Sequence, residues 1–283
     1  MAHSDMPTVR SRRLGNELKR LRLERAYKVQ DIADKLQCGQ PKISQIENGK
    51  RGIRPLDLTV LLDFYGIDDT AYIASIKRLA KEIHKVDWWS GEGPQLHDSL
   101  RDYLTLEADS DLVREYDPAV LPGLLQTGAY MREIFGTRFP AQEIAPFVET
   151  RTKRQELLGP QQDFRLRTIV EASVLHRISR SREVVREQLE HLLDMGGRSA
   201  VDLRILPLDA AVPADQYTPF TLLSLRGEPS VDVAWLEHVT GGTLLETRAD
   251  VEAYARVWDA FTAAALSPSA SRKYIRDLLK ESR

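Results

Sequence analysis

The chain has a single cysteine, Cys38, in 283 residues. An internal disulfide is therefore excluded, and the thiol content fits a reducing, cytoplasmic setting. Cys38 reads as a small residue in a turn rather than a redox sensor, since only Lys42 stands near enough in sequence to activate it. No apolar run approaches the ~20 residues that a membrane span needs. The opening, MAHSDMPTVR, has no apolar stretch behind its charges and Pro7, so neither a secretory leader nor a membrane partner is expected. The signatures of common enzymes are missing too: no GxSxG elbow, no GxxxxGK[ST] phosphate loop, no HExxH and no CxxC. His84, His97, His176, His191 and His238 are scattered, and Glu237 and His238 are neighbours in a strand-like run, which sends them to opposite faces. Asp209 and Asp215 flank a loop that reads first as solvated and only second as a cation site. No catalytic residue, metal ligand or cofactor is expected.

The chain also has almost no net charge: 40 Lys and Arg against 42 Asp and Glu. That balance conceals an asymmetry. Residues 10–54 carry 13 basic and 5 acidic side chains, a net of +8, whereas residues 87–283 carry 23 and 31, a net of −8. Any one of these cations is adequately explained as a solvated helix face. The whole cluster points to a polyanionic partner such as nucleic acid. The apolar content of 42% suffices for packed cores, and the length suits about two domains.

Inside the basic segment, VQDIADKLQCGQPKISQIENG (residues 29–49) reads as two short helices joined by a tight turn. Val29, Ile32, Ala33 and Leu36 recur at helical spacing, and Gln37, Cys38 and Gly39 break the pattern. Gly39 serves as the N-cap of the second helix, and Pro41 as its second residue, where a missing N–H costs little. Ile43 and Ile46 point inward, leaving Gln40, Lys42, Ser44 and Gln45 outside, and Gly49 fits the left-handed position that closes a helix. This is the pattern of a helix-turn-helix, whose second helix enters the major groove of double-stranded DNA. Gln40 and Gln45 suit bidentate contact with adenine, Lys42 suits a base or a phosphate, and Lys50, Arg51 and Arg54 follow where phosphates would lie. Flanking helices complete a five-helix head over residues 10–85. One carries Leu14, Leu18 and Leu21, one carries Leu58, Leu61, Leu62 and Phe64 after Pro55, and one carries Ile73, Ile76, Leu79 and Ile83.

Residues 14–67, with DIADKL in the support helix and KISQIENGK in the recognition helix, resemble the XRE family, the Cro and lambda-repressor type of helix-turn-helix domain. The resemblance implies that Gln40, Pro41 and Gln45 face base edges, with Lys42 and Ser44 on the same surface. It also implies that Arg22 and Glu47 form a structural ion pair between the first and third helices. The phosphate-holding glutamine that often opens the support helix is displaced here, with Val29 in its place and Gln30 one residue later. Few base pairs are read by one such helix, so binding as a homodimer to a two-fold site is expected.

Residues 86–95, with Gly91, Gly93 and Pro94, read as a linker, and Trp88 and Trp89 as a pair packed between domains. Residues 96–283 form an α+β domain. Helices are expected at 96–108, 124–135, 141–158, 181–195, 249–265 and 268–281, and strands within FRLRTIVEASVL (164–175), VDLRILPL (201–208), FTLLSL (220–225) and VDVAWLEH (231–238), four or five strands in all. Gly241-Gly242 reads as a hairpin turn. REYDPAVLPGLLQTGAYMREIF, RTKRQELL, LRILPLDA and VWDAFTAAALSPSASRKYIRDLL are similar to the domain that follows XRE-type heads in the WhiJ-like regulators of actinobacteria. That resemblance implies a transcriptional regulator of development or secondary metabolism, in an antitoxin-like arrangement with a small partner protein. Three readings stand: a repressor or activator whose body binds a small molecule, an antitoxin-like regulator whose body binds a small protein, and an enzyme with a DNA-binding head.

Overall fold

The computed structural model describes residues 7–85, 87, 96–212, 218–227 and 230–281. Most of the expected linker, Trp88 and Trp89, and Asp215 lie outside the described residues. The chain divides near residue 90 into two units. No helix among the described residues is long and apolar enough to cross a membrane.

The head is helical: α1 (Val9–Glu24), α2 (Val29–Lys35), α3 (Gln40–Glu47), α4 (Pro55–Phe64) and α5 (Thr70–Glu82). Its helix starts are set by local chemistry. The Thr8 hydroxyl accepts the Ser11 N–H at the start of α1, the Asp31 carboxylate accepts the Lys28 N–H at the start of α2, and Asp69 accepts two N–H groups at the start of α5. One core joins the five helices, built from Leu14, Leu18 and Leu21 of α1, Ile32 and Ala33 of α2, Ile43 and Ile46 of α3, Leu58, Leu61 and Leu62 of α4, and Ile76 of α5. Each such leucine or isoleucine contributes roughly 1.5–3 kcal/mol on burial. Tyr27 stacks on Phe64 at 4.6 Å and seals the edge of that core.

The second unit is a six-stranded mixed sheet with helices on both faces. In chain order it runs α6 (Asp98–Ala108), β1 (Ser110–Asp117), α7 (Gly128–Gly136), α8 (Ala141–Arg154), β2 (Arg165–Glu171), α9 (Ala172–Leu175), α10 (Arg182–Met195), β3 (Val201–Leu206), β4 (Phe220–Leu225), β5 (Val231–His238), β6 (Gly241–Leu245), α11 (Arg248–Ala264) and α12 (Pro268–Glu281). The spatial order is β3-β2-β1-β4-β5-β6. One half, β1 to β3, is parallel, because each connection carries helices long enough for a crossover. The other half, β4 to β6, is an antiparallel meander joined to β1. α11 packs Trp258 and Phe261 on the face that carries Tyr116, Phe220 and Leu222. The opposite face holds Trp235, against which Tyr103 of α6 packs at 5.9 Å. The outer edge of β3 is covered: Ile205 donates its N–H to the buried Ser271 hydroxyl at 2.9 Å and accepts from the Leu266 N–H at 2.8 Å.

Several expectations need correction. β1 falls where no strand was expected. The run FRLRTIVEASVL leaves the sheet at Glu171 and turns into α9. Gly241 and Gly242 are not the hairpin turn but the first residues of β6, and Gly242 lies directly under the Trp235 ring, where a Cβ would come within 2.0 Å of it. Among the described residues the strands number six, not four or five.

Candidate nucleic-acid interface

The turn between α2 and α3 is built from a non-glycine residue in the left-handed region, Gln37 at φ 49°, followed by Cys38 and the extended Gly39. Pro41 sits in the first turn of α3, where no N–H is required. At the far end of α3, Gly49 adopts φ 70°, its N–H reaches Ile46 O, and the Lys50 N–H reaches Gln45 O at 2.8 Å. That pair of bonds is a Schellman closure, and it turns the chain sharply toward Lys50, Arg51 and Arg54.

α3 is clamped to α1 at two places. Arg22 donates through Nε to Glu47 Oε1 at 2.6 Å and through a terminal nitrogen to Oε2 at 2.9 Å, and its other terminal nitrogen donates to Tyr27 O at 2.9 Å. Both side chains are buried, at 8% and 7% exposure. The Glu47 carboxylate raises the guanidinium pKa further above its ordinary value. The second clamp is steric and was not foreseen. Gly15 of α1 touches the end of α3 so closely that a Cβ would lie 2.6 Å from the carbonyl oxygens of both Ile46 and Glu47. A further buried pair, Arg10 to Asp87 at 2.7 and 3.0 Å, fastens the start of α1 to a residue in the stretch expected to be linker.

The outer face of α3 carries Gln40, Pro41, Ser44 and Gln45, all exposed. Gln40 donates to the Gln30 side-chain oxygen, and Gln30 donates to Asp34 at 2.5 Å. The displaced glutamine of the support helix therefore meets the first residue of α3. Lys50, Arg51 and Arg54 are exposed beyond α3, with Arg54 78% exposed and 3.4 Å from Asp57. Lys42 differs from the rest. Its ammonium is held 2.8 Å from Asp57 in α4, both side chains being largely buried, and this contact holds the Asp57 carboxyl below its usual range. In the free protein Lys42 is a brace between α3 and α4 rather than an open cation.

The body holds its own buried polar network on the α6 face. A 3-10 turn at Gly123–Leu125 follows β1. Gln126 donates to Leu121 O and accepts from Arg151 of α8 at 2.6 Å, while Gln188 of α10 accepts the Thr127 N–H and donates to Leu125 O. Arg154 of α8 forms a bidentate pair with Glu107 of α6 at 2.8 and 2.9 Å. Burial, then the neighbouring carboxylates Asp117 and Glu107, push Glu115 of β1 up to about 8.

A family model described as Domain of unknown function (DUF5753) matches residues 100–277, more than half of the chain. The chain belongs to that family. A second model, described as a helix-turn-helix domain, matches residues 13–71, which holds α2, α3 and the Arg22–Glu47 pair. No curated protein and no solved structure matches. The DUF5753 match spans the sheet and nearly all of the helices around it, so the helix-turn-helix head and the DUF5753 body account for most of the described chain. A helix-turn-helix domain is the mark of a DNA-binding regulator.

Proposed function

We propose that this protein is a sequence-specific transcription regulator of the XRE type, which lays α3 in the major groove of double-stranded DNA and uses its DUF5753 body as a sensor. The observation that carries the reading is the outer face of α3. Its exposed side chains are Gln40, Pro41, Ser44 and Gln45, while Ile43 and Ile46 are buried and its far end is locked by Arg22–Glu47 and Gly15. Gln45 and Ser44 read base edges, and Gln40, seated on Gln30, reads a base while Gln30 meets the adjoining phosphate. Lys50, Arg51 and Arg54 hold phosphates on the flank. The basic excess of residues 10–54 supports this orientation. Two copies bind a two-fold site as a homodimer, because one α3 reads too few base pairs to find an operator. The body responds by binding rather than by catalysis, and a half-buried arginine without a carboxylate partner beside an apolar pocket favours a small molecule as the input.

Selection of binding sites from random duplex DNA with the full chain tests the proposal. The expected result is a recurrent half-site of a few base pairs, inverted and spaced about one helical turn apart. Recovery of DNA with no shared sequence would refute it.

A further inference from the structure

A pocket opens between α6, α7 and α8 with about 300 Å³ of empty space including its mouth. Leu96, Leu100 and Leu104 form one wall, and Phe135 and Phe147 another. The two rings meet at 5.7 Å. Two cations line the same space, and they are not equivalent. Arg154 is neutralised by its bidentate partner Glu107. Arg151 donates one hydrogen bond to the neutral Gln126 oxygen and stacks over Phe135 at 4.6 Å, and no carboxylate among the described residues lies in ion-pair contact with it.

From this arrangement we infer that the pocket binds a small organic acid, its apolar tail between the leucines and the two phenylalanines and its carboxylate on the guanidinium of Arg151. A guanidinium presents a planar fork of donors that matches a carboxylate, and one bond to Gln126 leaves most of that fork unused. An anionic head with an apolar tail therefore satisfies both halves of the site. The balance of charge agrees. Burial, with Arg154 beside it, pulls Arg151 down to about 10, which leaves it charged at neutral pH; of the carboxyl groups that act on it, Glu107 is paired with Arg154, Glu115 is held mostly protonated at neutral pH by its raised pKa of about 8, and Glu237 is exposed at the end of β5. The enclosed part of the space, about 40 Å³, takes about three water-sized groups, so a short tail or the edge of one ring is held there and the rest lies in the open mouth. Gln126 connects the site to the rest of the body, since the backbone beside it at Leu125 and Thr127 is held by Gln188 of α10. The proposal deepens the sensor reading of the body and rests on it for the consequence of binding, not for the site itself.

The test is calorimetric titration of the full chain, without DNA, with hexanoate and phenylacetate, and with 1-hexanol and hexylamine as neutral and cationic counterparts. Saturable binding of at least one acid, roughly ten- to a hundredfold tighter than hexanol and with hexylamine weaker still, is expected from one charged hydrogen-bonded contact. Arg151→Met keeps the stem and should erase the preference for the acid, Arg151→Lys should retain part of it, and Leu100→Trp should block both acids by filling the pocket. Equal binding of acid and alcohol by the wild type, failure of both acids to bind, or undiminished acid binding by Arg151→Met overturns the proposal. DNA affinity with and without the acid is measured separately, so failure of the pocket and failure of the regulator reading are told apart.

Discussion

Replacing Glu47 with alanine should loosen the recognition helix more than any other single change on its buried side. Two hydrogen bonds of 2.6 and 2.9 Å are lost, and both partners are more than nine-tenths buried. An exposed ion pair contributes about 0–1 kcal/mol. This one differs because Arg22 cannot follow water once its partner is gone: one terminal nitrogen stays bound to Tyr27 O, and the guanidinium remains enclosed. Removing one member of a buried pair costs about 3–5 kcal/mol. At about 1.4 kcal/mol per decade, hydrogen exchange at the α3 amides of Ile43 and Ile46 should quicken by a factor on the order of 10²–10³ or more, with the body unaffected. The double variant Arg22→Met with Glu47→Leu removes both charges and should recover most of the loss, since a well-packed apolar pair is often as stable as a buried ionic one. A change of less than about tenfold in exchange for Glu47→Ala, or a double variant as poorly protected as the single one, would show that the Arg22–Glu47 pair does not hold α3 in place.

Gly15→Ala places a methyl group 2.6 Å from two carbonyl oxygens and should cost about 1–3 kcal/mol, read as a lower melting transition of the head, whereas Gly66→Ala, with open space around it but φ 64°, should cost about 1 kcal/mol through backbone strain alone. Lys42 is held by Asp57, so Lys42→Ala should leave the salt dependence of DNA binding nearly unchanged, while Arg51→Ala should lower the slope of log K against log salt by about 1. Glu115 has a folded pKa raised to about 8 above an unfolded value near 4.3. Its folded form thus binds the extra proton between those values, and its contribution to stability, complete below about pH 4, falls as pH rises to 8 with a slope of at most about 1.4 kcal/mol per pH unit. Glu115→Gln should flatten that slope in denaturation titrations from pH 5 to 8.

What the sequence made legible was local. The 3.6-residue period of Leu14, Leu18 and Leu21 and of Ile43 and Ile46 marks the buried faces of α1 and α3, and Gly49 marks the end of α3 because only its φ of 70° permits the closure there. Alternation likewise exposed β2 and β3, and richness in Val, Leu and aromatics exposed β4 and β5. The misses have physical causes. SDLVREYD lies in the middle of the sheet with β2 on one side and β4 on the other, so its burial does not alternate and its charged residues disguise a strand. Gly242 looks like turn chemistry but is a place where an indole needs room. Gly15, Lys42–Asp57 and Arg10–Asp87 depend on residues far apart in sequence, and no period encodes them. The strand order was invisible for the same reason. Arg22–Glu47 could be anticipated only through a family resemblance, since 25 residues separate the partners. In the body, Arg151 sits in the motif RTKRQELL like any surface cation, and nothing local distinguishes it from Lys153, which is exposed.

Gln45→Ala asks whether α3 reads bases through its exposed polar face. Binding of the full chain to a selected site and to random duplex DNA is measured at one fixed salt concentration. The expected result is a loss of about 1–3 kcal/mol for the selected site, five- to a hundredfold or more, with binding to random DNA nearly unchanged. An equal loss on both DNAs, or no loss on either, would contradict it.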